Sequence, residues 1–333
     1  MHKEKPLVGI TMGDPGGIGP EVIVKAYPKL LESCRPLVIG DTDVIAEAIA
    51  VCDVSIDVEA IESVADATFD ASTIPVVDLN LVDELVCGEV REAYGAASLQ
   101  YIERAIELAK TGEIDAITTA PINKQATKLA GSDYAGHTGM LADYTDTENY
   151  SMMLVEDELR VTHVSTHVSL REACDLVTAE KVLKTIRLTD DALRDLGLDS
   201  PSIAVAGLNP HASDGGLLGN EDHAEIEPAV EQAQEEGIDV EGPESPDTVY
   251  VRAARGEFDC VVSMYHDQGH IPIKMLGFAG GDAVSGVNVT IGLPIIRTSV
   301  DHGTAFDIAG EGIASEQSLV DAVDVAVDMT AEN

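Results

Sequence analysis

Short apolar runs recur along the chain, separated by stretches in which apolar residues return every three or four positions. LVGIT (7–11), LVIG (37–40), IPVVDL (74–79), AITTA (116–120), SMMLV (151–155), RVTHVS (160–165), SIAVAG (202–207), CVVSM (260–264) and VNVTIG (287–292) have the length and β-branched content of buried strands. PEVIVKAYPKLLES, YGAASLQYIERAIELAKTG, AEKVLKTIRLTDDALRDLG and SLVDAVDVAVDMTAE carry helical periodicity, and Gly, Pro, Asn and Asp mark the turns between elements. Strand alternating with helix predicts an α/β protein whose sheet is mostly parallel and covered on its faces. At 333 residues the chain is too long for one small core and suits two α/β lobes. No Ser/Pro linker, internal repeat or low-complexity segment marks a boundary between them.

Composition narrows the class. Hydrophobic residues make up 45% of the chain, enough to fill two interiors. No run of about 18 apolar residues exists, so no transmembrane helix is expected. The lead MHKEKPLVGITMGD lacks the apolar h-region and cleavage site of a signal peptide, which predicts a cytoplasmic protein. Cys34, Cys52, Cys87, Cys174 and Cys260 are scattered and odd in number, so they read as reduced structural thiols. Sixty Asp and Glu stand against 20 Lys and Arg, a net charge of −40. Such a surface cannot neutralise phosphates, which excludes nucleic-acid binding. The acids are dispersed among apolar runs, so they read as the solvated surface of a folded protein of the kind halophilic cytoplasms favour.

Three histidines carry candidate chemistry. His167 follows the strand RVTHVS, His211 follows SIAVAG and His266 follows CVVSM, so each stands at the carboxyl end of a predicted strand, where open α/β sheets bind ligands. Neutral imidazole is a common ligand of divalent ions, and three protein ligands leave coordination positions open for substrate. His163 and His270 stand beside two of the three, and pattern alone leaves the choice open. SMYHDQGHIPIKMLGF reads as a Gly- and Pro-punctuated loop in which His266, Asp267 and Lys274 crowd together. VNVTIGLPIIRTSVDHGTAFDIAGEG adds Asn288, Arg297, Asp301 and His302, and arginine suits bidentate binding of phosphate or carboxylate. GHTGM places His137 and Thr138 at a helix start, where backbone N–H groups favour anions. GITMGDPGGIGPE turns a strand into a helix through glycines, yet has neither the P-loop Lys-Ser/Thr nor the G-x-G-x-x-G spacing.

The motifs GDPGGIGPE, TAPINK, GHT, HVSTH, NPHA, the DT of SPDTVY, YHDQGH and GVNVTIGLPIIRTSVDHGTA, in this order, resemble the PdxA family of 4-hydroxythreonine-4-phosphate dehydrogenases over nearly the whole chain. The resemblance implies a two-lobed fold like that of isocitrate and isopropylmalate dehydrogenases, with the active site in the interdomain cleft and homodimers that complete each other's sites. The lobes are expected at 1–125 plus 300–333 and at 126–299. By the same resemblance, His167, His211 and His266 bind one divalent ion (Zn, Mg, Mn or Co) shared between subunits. His137, Thr138, Lys274, Asn288 and Arg297 contact substrate. Asp247 and Asp267 are matching acids near the site, and Lys274 and Asp267 compete for the role of general base. HGTAFDIAG also resembles the adenosine loop of isopropylmalate dehydrogenases. NAD or NADP is therefore expected along His302, Gly303, Thr304 and Asp307 and along the turn from Asp14 to Gly19. Two departures stand out: Gly16 replaces an expected Ala, and the Ala279–Gly286 segment is longer than the usual link, which makes Asn288 a weaker carry-over than Lys274.

The reaction implied is NAD-dependent oxidation, with decarboxylation, of 4-phosphooxy-L-threonine to 3-amino-2-oxopropyl phosphate, as in pyridoxine biosynthesis. The alternative is a dehydrogenase of D-threonate or D-erythronate 4-phosphate in sugar-acid catabolism, the branch that the HIP before Lys274 resembles more closely. A reading from another class is a non-catalytic metal- or phosphate-binding regulator on the same fold, which NADH formation would separate from an enzyme.

Overall fold

The computed structural model describes residues 5–134, 137–156, 158–279 and 286–331. The chain opens with β1 (Leu7–Thr11), α1 (Gly19–Leu30), β2 (Arg35–Gly40), α2 (Thr42–Cys52), β3 (Asp57–Ile61), β4 (Thr73–Asp78), α3 (Glu92–Thr111), β5 (Ala116–Thr119), α4 (Lys124–Leu129) and α5 (His137–Tyr144). It continues through β6 (Ser151–Glu156), β7 (Leu159–His163), α6 (Leu170–Leu176), α7 (Ala179–Asp195), β8 (Ser202–Ala206), α8 (Glu227–Glu235) and β9 (Asp239–Glu244). The last elements are α9 (Val249–Ala253), β10 (Cys260–Ser263), α10 (His266–Ala279), β11 (Val287–Ile291), β12 (Ile296–Val300) and α11 (Gln317–Ala331).

Two compact units result, one running to Glu148 and resuming over Leu293–Ala331, the other spanning Asn149–Gly292. The expected boundaries at 125/126 and 299/300 are thereby corrected. α4 packs on α3 and so stays with the first unit. β12 belongs there too, because it lies parallel to β5 with Arg297 opposite Ile117.

In the first unit the strand order is β3-β4-β2-β1-β5-β12, and every described pairing is parallel. An inner strand of a parallel sheet is covered on both faces, so it is apolar along its whole length. β1 follows that rule, with all five residues buried. Val8, Ile10, Leu37, Ile39 and Val76 pack with Ile23 and Tyr27 of α1, Tyr101 of α3 and Leu319 of α11.

In the second unit the order is β11-β6-β7-β10-β8-β9. β6 is antiparallel to both β11 and β7, while β7, β10, β8 and β9 run parallel, so this sheet is mixed. Leu154, Val161, Ala204 and Val261 pack with Tyr250, Phe258 and Ile273.

SMYHDQGHIPIKMLGF, expected as a loop, is the helix α10 from His266 onward, with Pro272 inside it. Its small residue Gly269 is a packing site: a Cβ there would come 2.5 Å from His163 Nε2 and 2.7 Å from Ser263 Oγ. The long Ala279–Gly286 segment lies largely outside the described residues, as does the MHKE lead. Among the described residues no helix is long and apolar enough to cross a membrane, and all five cysteines are free thiols.

Candidate active site

β7, β10 and β8 are consecutive neighbours and parallel, so their carboxyl ends share one edge of the second unit's sheet. His167 follows β7, His266 opens α10 directly after β10, and His211 lies in the tight turn Pro210–Asp214 after β8. The rings of His167 and His266 have centroids 5.4 Å apart. His266 Nδ1 is 2.7 Å from Asp267 Oδ1. A carboxylate only accepts, so the imidazole carries its proton on Nδ1 and keeps Nε2 for another partner. Metal-binding histidines commonly show that pairing. His211 has the same kind of neighbour at longer range, with Nδ1 3.8 Å from Asp247 Oδ2 and 3.5 Å from Ser245 Oγ. The hydrogen bond from Ser245, then the nearby His211, hold Asp247 below the usual carboxylate range. Among the described residues, no three His, Cys, Asp or Glu side chains of one chain gather to hold a metal ion. A single chain thus brings His167 and His266 together but does not complete a set with His211.

His163 and His270 pack against His266. His270 Nδ1 lies 2.9 Å from the His266 carbonyl and 3.2 Å from His163 Nε2. Burial, then the two neighbouring imidazoles, push His163 down to about 3, so it is neutral near pH 7.

The loop that carries His211 is unusual. His211, Ala212, Ser213 and Asp214 have φ of 54°, 51°, 66° and 45° in succession. Left-handed backbone costs an L-residue roughly 1–2 kcal/mol, and runs of it cluster at functional sites.

The remaining expected substrate residues fall in both units. Lys274 is half-buried on α10. Asn288 on β11 donates to Met152 Sδ at 2.9 Å, while its buried Oδ1 has no hydrogen-bond partner among the described residues. In the first unit, Thr138 sits half-buried in the first turn of α5, which His137 opens. Arg297 on β12 is buried and donates to Thr119 Oγ1 at 2.6 Å. Burial pushes its guanidinium down to about 9, so it remains protonated near neutrality.

Both expected cofactor segments meet in the first unit. Ile18 N donates to the Thr304 carbonyl at 3.1 Å, and a Cβ on Gly17 would come 3.0 Å from Thr304 Cβ. Gly19 begins α1, His302 Nδ1 lies 3.0 Å from the Gly303 carbonyl, and Asp307 is exposed. Asp14 is fully buried; its Oδ1 accepts from Gly16 N at 2.9 Å, and its Oδ2 has no hydrogen-bond partner among the described residues. Burial pushes the carboxyl up to about 6, against the lowering by that hydrogen bond. A buried acceptor of this kind suits a hydroxyl or amide of a bound cofactor and would repel a phosphate.

Sequence reading missed Ser245, Thr119 and Asp222, whose carboxylate grips the His211 loop. Thr119 lies inside the quoted TAPINK motif. Nothing in GNEDHAEI separates Asp222 from the acids around it.

The chain is similar to known proteins over nearly its whole length. A D-threonate 4-phosphate dehydrogenase from Cupriavidus necator is 49% identical over 327 residues, covering 97% of each chain. The crystal structure of a 4-hydroxythreonine-4-phosphate dehydrogenase from Klebsiella pneumoniae superposes with a TM-score of 0.88 at 42% identity, covering 98% of this chain and 100% of that one. One from Burkholderia phymatum gives 0.86 at 45% identity, covering 98% and 99%. Residues 32–326 match the family described as pyridoxal phosphate biosynthetic protein PdxA. The chain therefore belongs to the PdxA family and has its α/β dehydrogenase fold.

Proposed function

We propose that this protein is an NAD- and divalent-metal-dependent dehydrogenase that oxidises D-threonate 4-phosphate or a close four-carbon analogue, with loss of CO₂. The observation that carries the proposal is the placement of His167, His211 and His266 at the carboxyl ends of three adjacent parallel strands, two of them with a carboxylate near Nδ1. 4-Phosphooxy-L-threonine, the first expectation, gives way to D-threonate 4-phosphate because relatives such as the 49% identical one from Cupriavidus necator bear that name.

His167, His211 and His266 would hold the ion, with one imidazole supplied by a second subunit. When bound, a divalent ion would supply a Lewis acid that lowers the pKa of the substrate hydroxyl and offsets the negative charge that develops as CO₂ departs. NAD, once bound, would supply the acceptor for the hydride. Arg297, Asn288 and the His137–Thr138 helix start hold phosphate and carboxylate, so remote binding energy orients the reacting carbon. Lys274 or Asp267 takes the hydroxyl proton. The turn from Asp14 to Gly19 and the loop His302–Asp307 would hold the dinucleotide, with Asp14 accepting from a hydroxyl or carboxamide.

NADH formation at 340 nm, followed with 4-phospho-D-threonate, 4-phospho-D-erythronate and 4-phosphooxy-L-threonine, with and without EDTA, tests the proposal. Fastest turnover of the D-threonate ester, abolished by EDTA and restored by added metal, supports it. Preference for the L-threonine ester would overturn the substrate assignment, and turnover indifferent to chelation would overturn the metal. No turnover of any ester would favour the non-catalytic regulator.

A further inference from the structure

Asp222 is 1% exposed and begins the turn that leads into α8. Its Oδ1 accepts from Leu208 N at 2.7 Å. Its Oδ2 accepts from Asn209 N at 3.2 Å, Asn209 Nδ2 at 2.8 Å and Ser213 Oγ at 2.5 Å. These donors flank His211 on both sides. Gly207 lets them converge: a Cβ there would come 2.7 Å from Asp222 Oδ1 and 2.9 Å from Ala212 Cα.

A left-handed run of non-glycine residues persists only where its surroundings over-determine it. Here the run is His211 to Asp214, and it follows two residues whose amides are bound to one buried carboxylate. Ser213, within the run, is bound to the same carboxylate. Four accepted hydrogen bonds occupy the Asp222 oxygens, so the group acts on the loop rather than on a ligand.

We infer that Asp222 is a positioning residue for His211: it ties both sides of the left-handed turn and so sets the imidazole before any ligand arrives. The inference rests on the reading of His211 as a metal ligand. Removing such an outer partner costs on the order of 10–100-fold in metal affinity in comparable sites.

Co²⁺ binding to the full-length protein, measured by calorimetry and by the visible spectrum of the bound ion, tests it. The variants are Asp222→Asn, Ser213→Ala, His211→Ala and the two doubles with His211→Ala, with melting temperatures recorded for each. We expect Asp222→Asn to weaken Co²⁺ binding by about tenfold or more. Ser213→Ala should weaken it less, and neither change should add to the loss in the His211→Ala background. Lower melting temperature with unchanged Co²⁺ affinity, or losses that multiply in the doubles, would overturn the inference and leave Asp222 merely structural. If His211→Ala itself binds Co²⁺ normally, the ligand reading fails and the inference falls with it. Should Asp222→Asn not fold, Ser213→Ala decides, because it removes a single donor: weaker binding that vanishes in the double supports the inference, and unchanged binding overturns it.

Discussion

The imidazoles of His266 and His270 stack with centroids 3.6 Å apart and planes 11° apart. The two residues are one helical turn apart on α10, the spacing at which side chains lie above one another. His163 closes the cluster from β7, and Gly269 is the residue on α10 that gives its ring room.

Gly269→Ala would drive a methyl group to within 2.5 Å of His163 Nε2 in a buried site. Overpacking of this kind costs about 1–3 kcal/mol. Urea denaturation should show that loss, and Co²⁺ affinity should fall with it because the His266 ring is displaced. Unchanged stability would mean that α10 shifts freely and does not fix His266.

Asp14 makes a pH prediction. Its folded-state pKa of about 6 lies above the ordinary 3.8. The folded protein therefore holds a proton that the unfolded chain releases between those values, and stability falls as pH rises through that window. The full cost, about 3 kcal/mol at most, is present above pH 7. Asp14→Asn should raise the melting temperature at pH 7.5 and change it little at pH 4, while raising the KM for NAD. A melting temperature that is equally shifted at both pH values would exclude this carboxyl as the source.

Asp307 is exposed on the loop that meets Gly17 and Ile18 through Thr304. Asp307→Ala should raise the KM for NAD by roughly tenfold, the effect of losing one charge-assisted hydrogen bond, with the KM for the phosphorylated acid nearly unchanged. Equal effects on both would place the dinucleotide elsewhere.

For Arg297 the expectation is the reverse. Arg297→Met removes a buried cation that donates to Thr119. The KM for the phosphorylated substrate should rise on the order of tenfold to a hundredfold, with the KM for NAD steady. A lower melting temperature with both KM values intact would make Arg297 structural only.

With a net charge of −40, the chain repels itself and anionic substrates at low ionic strength, where the Debye length reaches about 30 Å at 0.01 M. Melting temperature and kcat/KM should both rise between 0.05 and about 3 M KCl. A steady decline from the low-salt end would show that screening of anion contacts outweighs relief of self-repulsion.

Strand identity was legible wherever burial on both faces left continuous apolar runs, as in LVGIT for β1 and CVVSM for β10. It failed at the edge strands β3 and β9, whose DVEAI and DVEGPE are half solvated and carry acids, and at β12, whose buried Arg297 interrupts the apolar pattern. α10 was hidden by Gly269, Pro272 and Gly277, residues that normally punctuate loops; here the two glycines open room for His163 and Glu156. The residue types of the site, and the placing of each histidine after a strand, could be read from local pattern and family resemblance. Only the tertiary structure decided that β7, β10 and β8 are neighbours, that His270 stacks on His266 while His211 lies in a left-handed turn, and that Asp222 grips that turn. Such facts depend on which strands pair and how closely backbones approach. Those are set by packing between segments distant in sequence, and no local periodicity records them.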